Sequence, residues 1–152
     1  MTKFFRMEFK GSSQSKTSSN EFQIIPYCSS LHHDKIPFIY AASFKDKSWD
    51  TDWDTFSEFD PGGIFLAMNA ETKELIGYVI SFKRKNFGYI SVVAVIPNWQ
   101  RHGVASALIR TAIQYLHSLN IEMIKVDVEE KNIQAIELYK KTGFIIVETF
   151  ED

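Results

Sequence analysis

One cysteine, Cys28, is all that the sequence contains. A lone thiol excludes an internal disulfide and any multi-cysteine zinc or iron–sulfur centre, and it points to a reducing compartment, with the cytoplasm as the expected location. Long hydrophobic runs are missing too. No segment reaches the roughly 20 apolar residues needed to cross a bilayer. The start, MTKFFRMEFKGSSQSK, is interrupted by Lys3, Arg6, Glu8 and Lys10 where a signal peptide would be continuously apolar, so no membrane role is expected. Nor is there an excess of charge of one sign: 17 Lys and Arg against 19 Asp and Glu leave a net charge of -2, which offers nucleic acid no electrostatic footprint. The histidines form no ligand set, since His32 and His33 are adjacent and cannot share a strand face while His102 and His117 lie elsewhere. No metal is expected.

What is present reads as one packed domain over 1–152, with 1–20 an extra N-terminal strand and polar loop and 21–152 the core. An aromatic content of 14%, including 13 Phe, calls for a real interior. FFRMEFK sets Phe5, Met7 and Phe9 against Arg6, Glu8 and Lys10, which is period-two strand patterning. GSSQSKTSSN then reads as loop, EFQIIPYC as a short strand ended by Pro26, and Asp34 to Phe44 as a helix burying Ile36, Phe38, Ile39 and Ala42. The acidic and aromatic stretch 45–63 holds a short helix around Asp54 to Phe59 and is broken by Pro61, Gly62 and Gly63. IFLAMN, LIGYVISFKRK and GYISVVAVIP follow with hairpin-length gaps, as an antiparallel meander. Then the period changes. Val104, Leu108, Ala112, Tyr115, Leu116 and Leu119 recur at helical spacing. MIKVDV is a strand, Lys131 to Thr142 a helix capped by Asn132 and Gly143, and FIIVETF a last strand. This order predicts an α/β (α+β) fold with a mixed, mostly antiparallel sheet.

The connection VIPNWQRHGVAS, 95–106, has more chemistry than a turn requires. A helix beginning after small residues presents unpaired N–H groups and the positive end of its dipole, which suits phosphate. Gly103 would let a ligand approach the backbone, and Arg101 would add charge. Taken alone, the loop fits a plain strand-to-helix turn equally well. The Gly-Lys-Ser/Thr ending of a P-loop and the G-x-G-x-x-G of a dinucleotide site are both lacking.

Val93, Val95, Pro97, Gln100, Arg101, Gly103 and Ala105 together form V-x-V-x-P-x-x-Q-R-x-G-x-A, which resembles the acetyl-CoA motif of the GNAT superfamily of N-acetyltransferases. A second block, Asn132, Ala135, Ile136, Leu138, Tyr139, Lys141, Gly143 and Phe144, resembles the family's N-x-x-A-I-x-L-Y-x-K-x-G-F. The resemblance implies a GNAT-like sheet with helices on both faces and acetyl-CoA as co-substrate. It implies that the pantetheine arm lies along the backbone of Val93, Ala94 and Val95 as a pseudo-strand. The pyrophosphate would sit on the N–H groups of Arg101, His102, Gly103, Val104, Ala105 and Ser106, with Asn132 beside the pantetheine. Ala105 replaces the usual glycine, which negative φ would tolerate.

By the same resemblance Tyr139 is the general acid for the departing thiolate, against the alternative of a helix tyrosine that only packs. An amine of pKa about 10.4 must also lose a proton. Many family members carry a glutamate six residues before the proline, where this chain has Ser91. Asp127, five residues before Asn132, matches a glutamate of ribosomal-protein N-terminal acetyltransferases and is the candidate base. A carboxylate facing solvent or Lys125 is the alternative. Cys28 is expected to be a packed small hydrophobe. The acceptor would be an amine of a small molecule or of a peptide; the stretch carrying Asp46, Trp49, Asp50, Asp52, Trp53, Asp54, Glu58 and Asp60 could recognise a cationic amine, although a solvated acidic loop is the simpler account. Family members usually end in a two-strand hairpin, whereas one strand remains here. The N-terminal strand is therefore expected either to fill the vacated sheet edge or to build a homodimer. The rival to an acetyltransferase is a non-catalytic acetyl-CoA-binding regulatory or sensor protein of the same fold.

Overall fold

The structure, a computed structural model, describes residues 1–11, 19–44 and 60–152. These build one seven-stranded sheet from β1 (Lys3–Phe9), β2 (Phe22–Pro26), β3 (Ile64–Asn69), β4 (Leu75–Lys83), β5 (Gly88–Val95), β6 (Ile124–Glu129) and β7 (Phe144–Glu151), in the order β2-β3-β4-β5-β6-β1-β7. Only β5 and β6 run parallel. The expected meander is β3-β4-β5. Helices α1 (Ser29–His32), α2 (Ile36–Ser43), α3 (Val104–Ser118) and α4 (Ile133–Lys141) complete the described fold.

The helices divide the interior in two. On one face α3 and α4 cover Met7, Phe9, Ile90, Val126 and Phe144, and Val104, Leu108, Ala112 and Leu116 are the buried stripe that the helical spacing predicts. On the other, α2 lays Ile36 and Ile39 over Leu66, Tyr78 and Ile80. Phe38, expected inside, is 77% exposed, because only positions three apart on this short helix reach the sheet. The short helix expected at Asp54 to Phe59 lies outside the described residues.

β1 corrects the expectation for the N-terminus. It does not fill an edge; it is inserted between β6 and β7, antiparallel to both, and leaves β7 as the edge strand. The insertion satisfies two demands at once: Met7 and Phe9 reach the interior under α3, and the backbone groups on both sides of the strand find partners. A single strand follows α4, as expected.

Tyr78 is fully buried on β4, and its hydroxyl has no hydrogen-bond partner among the described residues. Burial accordingly pushes its pKa far above the usual tyrosine value. An unmade hydrogen bond at a buried hydroxyl costs on the order of 1–3 kcal/mol. Tyr78→Phe should therefore raise the melting temperature, as calorimetry would show. A fall of several degrees would mean that the hydroxyl is bonded in solution.

Candidate cofactor cleft and active site

The site begins with a defect in the sheet. Ile80 pairs with Val92 and Ser81 with Ile90, so Ser91 is the extra residue of a bulge in β5. β5 pairs with β6 only at Gly88 and Tyr89, and beyond them the two strands make no ladder pair. Val93, Ala94 and Val95 thus pair with β4 on one side and line an open notch on the other. An extended amide-bearing chain could lie in that notch as an added strand.

The same strand leads into the 95–106 loop. Pro97–Trp99 is a single 3-10 turn, Gln100 donates its side-chain amide to the Val95 carbonyl at 3.1 Å, and the backbone then passes through two left-handed residues, Arg101 at φ 67° and Gly103 at φ 84°. Gly103 is the N-cap of the 15-residue α3, with no side-chain cap and no acidic residue in the first turn. The N–H groups there are left for an external acceptor, and the helix dipole favours an anion in that place. An added Cβ at Gly103 would meet nothing within 4 Å, so the approach to these groups is open. Ala105 lies within α3 and outside the left-handed residues, where its methyl is tolerated.

Opposite, α4 supplies the second wall. Asn132 caps it by accepting from the Ala135 N–H at 3.1 Å, and Gly143 takes φ 109° after it. Between the walls is a cleft of about 540 Å³. It brings together Val93, Ala94, Val95, Arg101, Gly103, Val104, Ala105, Ser106, Asn132 and Tyr139 from the sequence-derived set. Gln100, Gln134 and Lys141 also line it, as do Ser43 and Phe44 at the end of α2. These last were not anticipated. The dimensions, the open notch and the uncapped helix fit an acyl-CoA, with pyrophosphate at the α3 terminus and the arm along β5.

Two anticipated residues stand outside the lining. His102 turns its ring onto Trp99, with centroids 5.2 Å apart, and its Nδ1 lies 3.2 Å from a carboxylate oxygen of Glu21. Asp127 is on β6 beside the lining residue Val128, and its carboxylate is fully engaged. It receives Arg6 through Nε at 2.9 Å and through a second guanidinium nitrogen at 3.3 Å, and the Tyr89 hydroxyl donates to it at 2.9 Å. Neither of the alternatives to catalysis foreseen for Asp127, solvent or Lys125, is its observed partner.

Tyr139 is buried, with its ring packed edge-on against Phe144 at 5.4 Å. Burial first, and then the neighbouring Tyr89, raise its pKa above the usual tyrosine value, so it is a hydroxyl held protonated. Tyr89 is raised likewise, by burial and by the Asp127 carboxylate. Cys28, expected to be packed, is exposed at the N-terminal end of α1, and its hydrogen bond with Ser30 lowers its pKa. Of the other histidines, His32 Nδ1 accepts from the Cys28 N–H at 2.9 Å, His33 Nδ1 meets the Tyr27 hydroxyl at 3.2 Å, and the His117 ring packs on Phe9 with centroids 5.8 Å apart. No group of three or more metal-ligating side chains occurs among the described residues. Of the acidic stretch proposed for the acceptor, only Asp60 lies within them, accepting from Tyr115 at 2.6 Å.

Comparison with known proteins agrees with this geometry. Residues 29–144 match the Acetyltransferase (GNAT) family. A mycothiol acetyltransferase of Mycobacteroides abscessus is 31% identical over 101 residues, covering 63% of this chain and 34% of that protein. The chloroplastic GCN5-related N-acetyltransferase 6 of Arabidopsis thaliana is 40% identical over 63 residues, covering 41% of this chain and 22% of that one. The chain thus spans about a third or less of the length of these curated relatives. Among solved structures, a GCN5-related N-acetyltransferase from Sphaerobacter thermophilus superposes with TM-score 0.85 at 15% identity over 97% of this chain and 49% of that one. The NatC complex bound to Gag peptide and CoA gives 0.71 at 22% identity, covering 84% and 87%. At these identities the structures speak for the fold.

Proposed function

The chain belongs to the acetyltransferase (GNAT) family, and from that premise we propose that it transfers the acetyl group of acetyl-CoA directly to a primary amine of a small molecule or a peptide, in the cytoplasm. The observation that carries the proposal is the notch between β5 and β6 opening onto an uncapped helix terminus, with a buried tyrosine in its wall.

Each part has a task in the transfer. The N–H groups of Gly103 to Ser106 hold pyrophosphate without a competing carboxylate, and the β5 backbone from Val93 to Val95 guides the arm so that the thioester reaches Tyr139. A backbone N–H of β5 near Val95 polarises the thioester carbonyl. Tyr139 gives a proton to the departing sulfur. A free thiol has a pKa of about 8.5, below that of a phenol, but a thiolate released in the same dry notch is desolvated and its proton affinity rises with that of Tyr139. Asp127 receives the proton lost by the amine.

The relatives include a mycothiol acetyltransferase and a complex bound to Gag peptide and CoA, which is why both small-molecule and peptide amines are proposed as acceptors. An acetyl-CoA-binding protein without transfer is the second reading, favoured by Ser91 at the bulge in place of a carboxylate. Thiol release from acetyl-CoA with a panel of alkylamines, diamines, amino sugars and peptides with free N-termini separates the two. Transfer predicts release that depends on acceptor; the second reading predicts binding with none.

A further inference from the structure

The two edges of the sheet are finished differently. β2, at one end, is five residues long and closes on Pro26, which has no N–H to offer a further strand. β7, at the other, runs for eight residues, FIIVETFE, without a proline, lysine or arginine. It is held on β1 through to Asp152, which exchanges backbone hydrogen bonds with Thr2 at 3.0 and 3.1 Å. No described strand pairs with its outer side, so a row of backbone N–H and C=O groups is presented there in order. Three consecutive apolar side chains on the strand meet water, Ile145 at 49%, Ile146 at 38% and Val147 at 43% exposure, whereas the other exposed large hydrophobics occur singly along the chain. Glu148, the one charge in the middle of the strand, is paired with Arg6 of β1 at 3.4 Å. The edge therefore lacks the bare charge that usually blunts one.

We propose that β7 is an interface between two copies of this chain, paired antiparallel across a two-fold axis at Ile146 so that the two sheets continue as one. Charge favours a second copy and that direction. The last turn of α4 leads into β7 with the exposed Lys140 and Lys141, and the strand runs out into the exposed Glu151 and Asp152. An antiparallel copy lays the acidic end of each strand beside the basic end of the other, twice over, whereas a parallel copy would bring the acidic ends together. With the axis at Ile146, that residue meets its own counterpart, Ile145 meets Val147 of the partner subunit, and Glu151 comes level with the turn that carries the two lysines. The whole apolar triplet is then covered. The patch is self-complementary, as a two-fold contact requires, and since β2 offers no equivalent edge the association closes at two. The register of β7 on β1 shifts by one residue at Val147, which adds local twist, so the new ladder is short and the interface is of the small, readily dissociating kind. This pairing is independent of the transfer reading.

Sedimentation equilibrium of the full chain from about 1 to about 100 μM should show the mass rising from 17.6 kDa toward twice that value, and added salt should weaken the association. Ile145→Lys puts a charge on the apolar edge and should raise the dissociation constant at least about tenfold, while circular dichroism and the melting temperature show the fold retained. Lys140→Glu and Glu151→Lys should each weaken the dimer through like-charge contact, and the double variant, with the charges exchanged, should recover it. Disulfide trapping reads the register. In a Cys28→Ser background, which removes the exposed native thiol, Ile146→Cys treated with diamide should cross-link the subunits, because Cα atoms opposed across antiparallel strands, at about 4.5–5.5 Å, suit a disulfide. Thr149→Cys should stay uncross-linked. A wild type that remains at 17.6 kDa at about 100 μM overturns the proposal. So does a dimer that Ile145→Lys leaves unchanged, or one trapped through Thr149→Cys and not through Ile146→Cys, since the contact would then lie elsewhere or in another register.

Discussion

Gly103→Glu should yield a folded protein that acetyl-CoA no longer stabilises. Gly103 caps α3 at φ 84°, and an added Cβ meets nothing within 4 Å, so the substitution makes no clash. Its cost to folding is the left-handed backbone, roughly 1–2 kcal/mol, or a few degrees in a domain of this size. Its cost to binding is far larger. The glutamate puts a negative charge where the helix terminus receives pyrophosphate, and it can satisfy the uncapped N–H groups itself. Acetyl-CoA at 100 times its Kd should stabilise the wild type by about 2.7 kcal/mol, raising its melting temperature by several degrees. In the variant that shift should vanish. An equal shift in both proteins would place the cofactor elsewhere.

Tyr139→Phe is the second large effect. Loss of the acid should reduce kcat by about 100-fold and leave acetyl-CoA-induced stabilisation intact, since the ring that packs on Phe144 is retained. A kcat within twofold of the wild type would reduce Tyr139 to a packing residue. The pH dependence has a definite sign. Burial raises the folded-state pKa of Tyr139 above its unfolded value of about 10, so the native state prefers the neutral phenol. The associated stability is complete below pH 10 and is lost as the pH rises through the folded pKa, because the unfolded chain ionises first. Above pH 10 denaturant titrations should show the wild type losing stability more steeply than Tyr139→Phe.

How far the sequence foretold this site depends on where each interaction lies along the chain. The cofactor cradle is local: Val93 to Ser106 fold as strand, turn and helix terminus, and Asn132 to Gly143 carry their own caps, so both blocks are legible from spacing. The chemistry at the closed end is not local. Arg6 and Asp127 are 121 positions apart, and period-two patterning could say only that Arg6 faces away from Met7 and Phe9. It took the insertion of β1 between β6 and β7 to set Arg6 opposite Asp127. Tyr89 has no spacing signal for a related reason: its hydroxyl meets Asp127, 38 positions away, only once β5 and β6 lie side by side. Phe38 lies outside the core because a two-turn helix can bury only one narrow stripe. Cys28 is exposed because the strand end continues into an exposed helix start.

The measurement closest to the central claim is the time course of free CoA thiol when the protein is mixed with acetyl-CoA, with and without the panel of amines and peptides, alongside Gly103→Glu. The cleft predicts thiol release that depends on both an amine and the wild-type loop, matched mole for mole by acetylated amine. Saturable acetyl-CoA binding with no acceptor-dependent thiol across the whole panel would contradict it.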